Sequence, residues 1–285
     1  MMSKAIVVKL GLALALVAHA SIGARAQLAS RKLEAKDSFN LTKPIIFSDD
    51  FTGDLRKWEL SIDALYLPEE RPLSTPLVKI VPADDTPGKT AVRFEVPGLP
   101  GTFRSEVALP SDYGLQERWY GERIKLTKVP APEPGYLVMQ WHAVMGDAAK
   151  TSRGFPPLEI SINGDKWTIS RAFGSPVTGE TKRDKKQLPG RVEAERWTDW
   201  VVHAKWSNGD DGEIQVWQNG VLVWDVKGPN CYSGLAVERT PYLKTGIYRP
   251  TRKESRTLED PTVVYVTDVK VGGPDATYQM VAPSH

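Results

Sequence analysis

The chain has 285 residues, with 37 Lys and Arg against 35 Asp and Glu and a single cysteine. A formal charge of +2 excludes a molecule that is strongly cationic throughout, as a phosphate-gripping nucleic-acid binder would be, and one cysteine excludes a disulfide framework within the chain.

At the N-terminus, Lys4 and Lys9 lead into the apolar run Leu10–Ala18, and Ala24-Arg25-Ala26 offers small residues for cleavage. This is the pattern of a secretory signal peptide over residues 1–26, and the run falls short of the ~20 residues that span a membrane. Export is expected, to a secreted or periplasmic location, with no membrane insertion after cleavage. Loss of Lys4, Lys9 and Arg25 with that segment takes the formal charge to −1. Cys231 alone closes no bridge, so the exported fold has to rest on its core. Residues 27–44 read as a polar linker, 45–273 as one domain and 274–285 as a loose C-terminal tail.

Within the domain the chain is a series of short alternating runs. Strands are predicted at 91–96, 104–109, 119–126, 136–143, 158–162 and 167–173. The segment 174–195, rich in Gly, Pro and charge, reads as a loop; its cluster Lys182-Arg-Asp-Lys-Lys186 is either a solvated face or a cationic flank to a cleft. Next comes Trp200–Trp206, closed by the polar turn Ser207–Gly212, and then 213–218 and 221–225 around Asn219-Gly220, a dipeptide suited to the positive φ angles of a type I′ hairpin. Strands at 242–248 and 263–271 complete the set. Many short strands with few helical periods indicate an all-β sandwich of two antiparallel sheets.

Three of these strands carry chemistry on one face. Alternation sends Leu243, Thr245 and Ile247 inward and leaves Tyr242, Lys244, Gly246 and Tyr248 outward. The same period buries Leu137, Met139 and Trp141 beneath an outward Gln140 and His142, and buries Val107 and Leu109 beneath an outward Arg104 and Glu106. A merely solvated face would be Lys, Glu, Thr and Ser. This one gathers an imidazole, phenols, an amide and fixed cations, with Gly246 expected to leave room beside Lys244 and Tyr248. Such a set suits removal of a weakly acidic carbon proton next to a carboxylate.

Arg104-Ser-Glu106, Gln140-Trp-His142, Tyr242-Leu-Lys-Thr-Gly-Ile-Tyr248, the run Trp206–Gly220 and the closing Val264–Gly272 together resemble the β-jelly-roll polysaccharide lyases. The resemblance is closest to the heparin lyase I type and looser to glucuronan and alginate lyases; it covers roughly residues 45–272. It implies a concanavalin-like jelly roll whose concave face forms the substrate cleft. It also implies β-elimination across the C4–O4 bond of a uronic acid, leaving a 4,5-unsaturated uronate end. Through it, His142 and Tyr248 map onto the acid/base roles, Lys244 and Gln140 onto positions that hold the sugar acid, and Arg104 onto a cleft arginine. If C5–H and O4 lie on the same side of the sugar, Tyr248 can serve as base and acid; if on opposite sides, His142 takes one role. No cofactor is required, although a structural calcium ion is compatible with some relatives. The anionic polysaccharide is then the partner, bound by a monomer.

Other residues have plainer readings. Glu106 is read as orienting Arg104 or Lys244, Tyr242 as stacking on sugar or covering the sheet, and His203 as a surface histidine. Trp141, Trp200, Trp206 and Trp217 are read as packing groups. Lys244, Arg249, Arg252, Lys253 and Arg256 follow one another closely and favour an anionic substrate, with Arg249 a candidate substrate contact. Asp49-Asp50 with Asp54 lacks the spacing of a calcium loop. A glycoside hydrolase would need two carboxylates flanking the scissile bond, and no Glu-x-Asp-x-x-Glu strand supplies them. A non-catalytic sugar-binding module stays open as the rival.

Overall fold

In the computed structural model, residues 39–64, 77–85, 87–112, 114–129, 135–147, 154–236, 239–252 and 257–284 are described. The signal segment, most of the linker, Lys253 and Arg256 lie outside them.

The chain lays down β1 (Ile45–Asp49), β2 (Glu59–Ala64), β3 (Val78–Pro82), β4 (Thr90–Val96), β5 (Thr102–Ala108), β6 (Glu117–Leu126), β7 (Tyr136–His142) and β8 (Leu158–Asn163). It continues with β9 (Lys166–Ser175), β10 (Glu180–Gln187), β11 (Trp197–Lys205), β12 (Glu213–Gln218), β13 (Val221–Lys227), β14 (Tyr242–Tyr248) and β15 (Thr262–Gly272). Two antiparallel sheets result. The back sheet runs β13-β12-β11-β6-β15-β4-β3, with β1 also on β15; the cleft sheet runs β10-β9-β8-β7-β14-β5-β2. The sandwich expected from the alternating runs is present.

The core lies between the sheets because each strand puts its apolar phase there. Val92, Phe94, Ile124, Trp200, Val202 and Val264 come from one side; Val107, Met139, Trp141, Ile160, Leu243 and Ile247 meet them from the other, all buried. Two aromatic pairs stitch the layers, Tyr120 on Trp141 at 5.2 Å and Trp167 on Trp200 at 5.1 Å, both edge-to-face. Asn219 (φ 49°) and Gly220 (φ 82°) turn the β12–β13 hairpin as the type I′ geometry demands.

Local features depart from simple alternation. In β15 the register slips between Thr267 and Lys270, where Asp268 adopts φ 53°; Val264 and Val266 before the slip, and Val269 and Val271 after it, are all buried. The segment 174–195, expected as a loop, contains β10, a wholly exposed edge strand paired with β9 over eight residues. Its charge concealed it, since the usual half-apolar strand signature is missing. Residues 274–284, expected to be loose, are held: Val281 is fully buried, Lys270 Nζ donates to the Ala282 carbonyl at 3.0 Å, and Tyr278 packs on Trp217. A side chain at Gly121 would collide with the Val281 carbonyl, so glycine there is what admits this segment. His203, expected at the surface, is buried, stacked on Trp119 at 4.2 Å and bonded through Nε2 to Glu117 at 2.8 Å. Asp49 accepts from Trp58 Nε1 at 2.7 Å, and Asp50 and Asp54 bond to Thr52 and Arg56, so these three carboxylates brace local turns.

Candidate active site

The cleft sheet brings the selected residues together through strand pairing. β14 lies between β5 and β7, so Tyr242 stands opposite His142 and Lys244 opposite Gln140 on one flank; on the other, Gly246 is opposite Glu106 and Tyr248 opposite Arg104. Residues 100 to 144 positions apart in sequence are thereby paired along one face. Beneath them, Leu243, Thr245 and Ile247 are fully sequestered in the core, as alternation requires.

The centre is a polar network with little access to water. Gln140 Nε2 donates to Glu106 Oε1 at 2.5 Å, and Arg104 Nε forms an ion pair with Glu106 Oε2 at 3.3 Å. Glu106, Gln140 and Lys244 are all buried. Glu106 thus orients both Arg104 and Gln140, and a buried carboxylate needs such partners. The Arg104 guanidinium also lies 4.2 Å from the centre of the Tyr248 ring, which locks that phenol in place. Lys244 Nζ is 5.8 Å from the Tyr242 ring centre.

His142 is exposed at the end of β7 but crowded by the cleft around it. Its Nδ1 lies 3.0 Å from the Ala143 carbonyl, which can only accept, so Nδ1 carries the proton and the Nε2 lone pair is presented. The Tyr242 hydroxyl lies 3.4 Å from the same nitrogen. Scarce water around the ring, then the charges of Lys244 and Arg104, push the imidazole down to about 4. With burial and the two cations acting in the same direction, His142 is neutral at neutral pH. Burial, reinforced by Glu59 and Glu106, pushes the Tyr242 phenol up to about 12, so it keeps its proton.

Two expectations are corrected here. The register between β7 and β8 slips between Leu137 and Met139, and the register between β14 and β7 slips between Thr245 and Tyr248. Past this bulge the phase of β7 inverts. Tyr136 and Val138 join the core, whereas Leu137, expected inside it, lines a cleft cavity beside Tyr248. Gly246, at φ 132°, does not leave room beside Lys244 and Tyr248. A Cβ there would strike the Ser105 carbonyl, approach Glu106 Cα to 2.8 Å and touch Phe94 of the back sheet at 3.0 Å. Glycine is needed for backbone approach to β5 and the core.

The cations after β14 are placed differently from the rest. Arg249 is buried and donates to Glu259 Oε2 at 2.8 Å and Thr262 Oγ1 at 3.2 Å; Arg252 donates to Glu259 Oε1 at 2.8 Å. Both are held by one carboxylate away from the cleft group. Sequence reasoning missed Glu159, whereas Arg183 belongs to the 182–186 cluster weighed there as a cationic flank to a cleft. The two pair across β8 and β10 on the cleft face, and no local pattern marks such a distant pair. Among the described residues, no three His, Cys, Asp or Glu side chains are grouped to hold a metal ion.

The chain belongs to the polysaccharide lyase family, whose sequence model matches residues 51–270. Its fold is similar to that of an endo-β-1,4-glucuronan lyase from the fungus Trichoderma reesei, with a TM-score of 0.67, 18% identity, and coverage of 85% of this chain and 99% of that one. An alginate lyase from Aplysia kurodai aligns with a TM-score of 0.48 and 8% identity over 70% of this chain and 87% of that one. A family 7 alginate lyase with bound product aligns with a TM-score of 0.46 and 16% identity over 64% and 80% of the respective chains. A search of the curated proteins finds no match.

Proposed function

We propose that this lyase is an exported enzyme that cleaves an unsulfated, glucuronan-like chain by β-elimination, with His142 and Tyr248 as its proton acceptor and donor. The observation that carries the reading is the convergence of Arg104, Gln140, His142, Lys244 and Tyr248 on one face of β5, β14 and β7.

Lys244, Gln140 and Arg104 take the uronate carboxylate. Neutralising its charge makes the adjacent C5 proton acidic and stabilises the negative charge that develops as the proton leaves. His142, neutral and with Nε2 unprotonated, accepts that proton. The electron pair forms the C4=C5 double bond, the C4–O4 bond breaks, and the Tyr248 hydroxyl protonates the departing O4. Solvent then returns the proton from His142 to Tyr248. Both side chains rise from one sheet and so approach one face of the sugar. In a glucuronate unit C5–H and O4 lie on the same face, a geometry open to Tyr248 acting alone and equally to His142 and Tyr248 acting from one side. Arg104 ties the pair together, since it lies against the Tyr248 ring and its charge acts on His142.

The chemistry of the surrounding cations supports an unsulfated chain over a heparin-like one. Arg249 and Arg252, the described cations that directly follow β14, are both engaged by Glu259, whereas dense sulfation would call for more uncommitted positive charge beside that strand. Calcium has no assigned place in this mechanism.

The test incubates the protein with glucuronan, heparin, heparan sulfate, alginate and hyaluronan while following ultraviolet absorbance of the unsaturated uronate. Absorbance should rise with glucuronan. A preference for heparin would overturn the substrate assignment, reducing ends without absorbance would point to hydrolysis, and neither signal would leave a binding module.

A further inference from the structure

We infer that the cleft extends across the sheet to a distal subsite on β10, where Arg183 and Lys185 hold the carboxylate of a uronate several units from the scissile bond. This rests on the lyase reading and assigns the site a length of polymer.

Strand register supplies the path. Lys185 pairs with Ser170, Ser170 with Glu159, Glu159 with Gln140, and Gln140 with Lys244, so one row of the cleft face runs over five strands from β10 to β14. Strands lie ~4.8 Å apart, which puts about 19 Å between the two lysine positions. One pyranose unit of a 1,4-linked chain is close to one strand spacing in length, so a polymer lying across the strands meets Lys185 about three or four units from Lys244.

The space for such a chain is present. A cavity of about 700 Å³ is lined by Tyr248 at one end and by Arg183 and Lys185 at the other, with Leu137, Phe155 and Glu159 between. Phe155 is half exposed and carries the Arg183 guanidinium 4.2 Å from its ring centre, a flat apolar surface fixed beside a cation. Glu159 is buried and ion-paired to Arg183, and Arg183 Nη2 also reaches Ser170 Oγ at 3.4 Å. Arg183 is therefore held in place in advance, which lowers the ordering cost of binding.

Edge strands carry charge to discourage pairing with other chains, and Lys182 and Lys186 satisfy that need. Those two alternate onto the opposite face from Arg183 and Lys185. Edge protection explains neither the cavity-lining pair nor the buried carboxylate that anchors it. Two cations against one carboxylate leave the end of the cavity positive, as an anionic sugar requires.

The experiment titrates wild type, Lys185→Glu and Arg183→Lys with size-fractionated glucuronan oligomers, measuring both binding by tryptophan fluorescence and turnover. Lys185→Glu should weaken binding of hexamers and longer chains roughly fivefold or more relative to its effect on trimers, the scale of one partly exposed ion pair with its sign reversed. Arg183→Lys, which preserves the charge facing Glu159, should show a smaller loss with the same length dependence. Equal effects on trimers and hexamers, or unchanged hexamer binding, would overturn the subsite. If wild type binds oligomers with this length dependence yet releases no unsaturated product, the subsite stands and the lyase mechanism falls. If wild type binds no oligomer, both fall.

Discussion

Glu122 lends itself to the most quantitative test. It sits on β6 in the apolar layer between the sheets, fully buried, accepting from Thr245 Oγ1 at 2.8 Å, and its second oxygen has no hydrogen-bond partner. Burial, opposed only by the Thr245 hydroxyl, pushes its carboxyl from 4.5 up to about 8. The folded state therefore holds a proton that the unfolded chain has lost over that whole interval. Stability from this group is complete below pH 4.5 and is lost as pH rises towards 8. At ~1.4 kcal/mol per unit, the full interval is worth about 5 kcal/mol. Glu122→Gln keeps the shape and the bond to Thr245 but cannot ionise. Urea unfolding of both proteins at pH 5, 7 and 9 should show wild type ahead or equal at pH 5, within the ~1–2 kcal/mol that a changed buried hydrogen bond costs. By pH 9 the variant should lead by several kcal/mol. Parallel pH dependences for the two proteins would refute the argument, because they would mean that Glu122 reaches water or ionises without penalty. The effect should also reach the site, since Thr245 lies next to Lys244 on β14.

Other outcomes follow from the same geometry. Tyr248→Phe should lower kcat by a factor of about 10³ or more while leaving thermal unfolding unchanged, whereas Tyr242→Phe should act mainly on KM; steady-state kinetics on glucuronan separate them. Because His142 is depressed to about 4 and must be neutral to accept a proton, kcat/KM should fall on the acid side with a midpoint near 4, and a midpoint near 6.5 would count against that environment. Gly246→Ala should cost ~2–5 kcal/mol in chemical denaturation, since the added methyl meets the backbone of β5 at a positive φ. Val281→Asp should destabilise the fold by ~2–4 kcal/mol if the terminal segment is packed on β6 as described, and a neutral effect would show that it is dispensable.

Much of this protein was legible in its sequence because period-2 alternation is local. The runs 91–96, 119–126, 213–218 and 242–248 announced their strands, the Asn219-Gly220 turn announced its hairpin, and the motifs on β5, β7 and β14 marked one face before any pairing was known. What alternation does not carry is the effect of a partner strand. The bulges that move Leu137 to the cleft and press Gly246 against β5 arise from register with neighbours far away in sequence. Charge behaves likewise. A lysine or arginine has the same formal charge wherever it stands in the sequence. Only the fold decided that Arg249 and Arg252 spend theirs on Glu259, that His203 is enclosed beside Glu117, and that a charged segment becomes an edge strand facing the cleft. Apolar phase is a property of a segment and can be read along it; electrostatic neutralisation is a property of distances in space, and only the tertiary structure sets those.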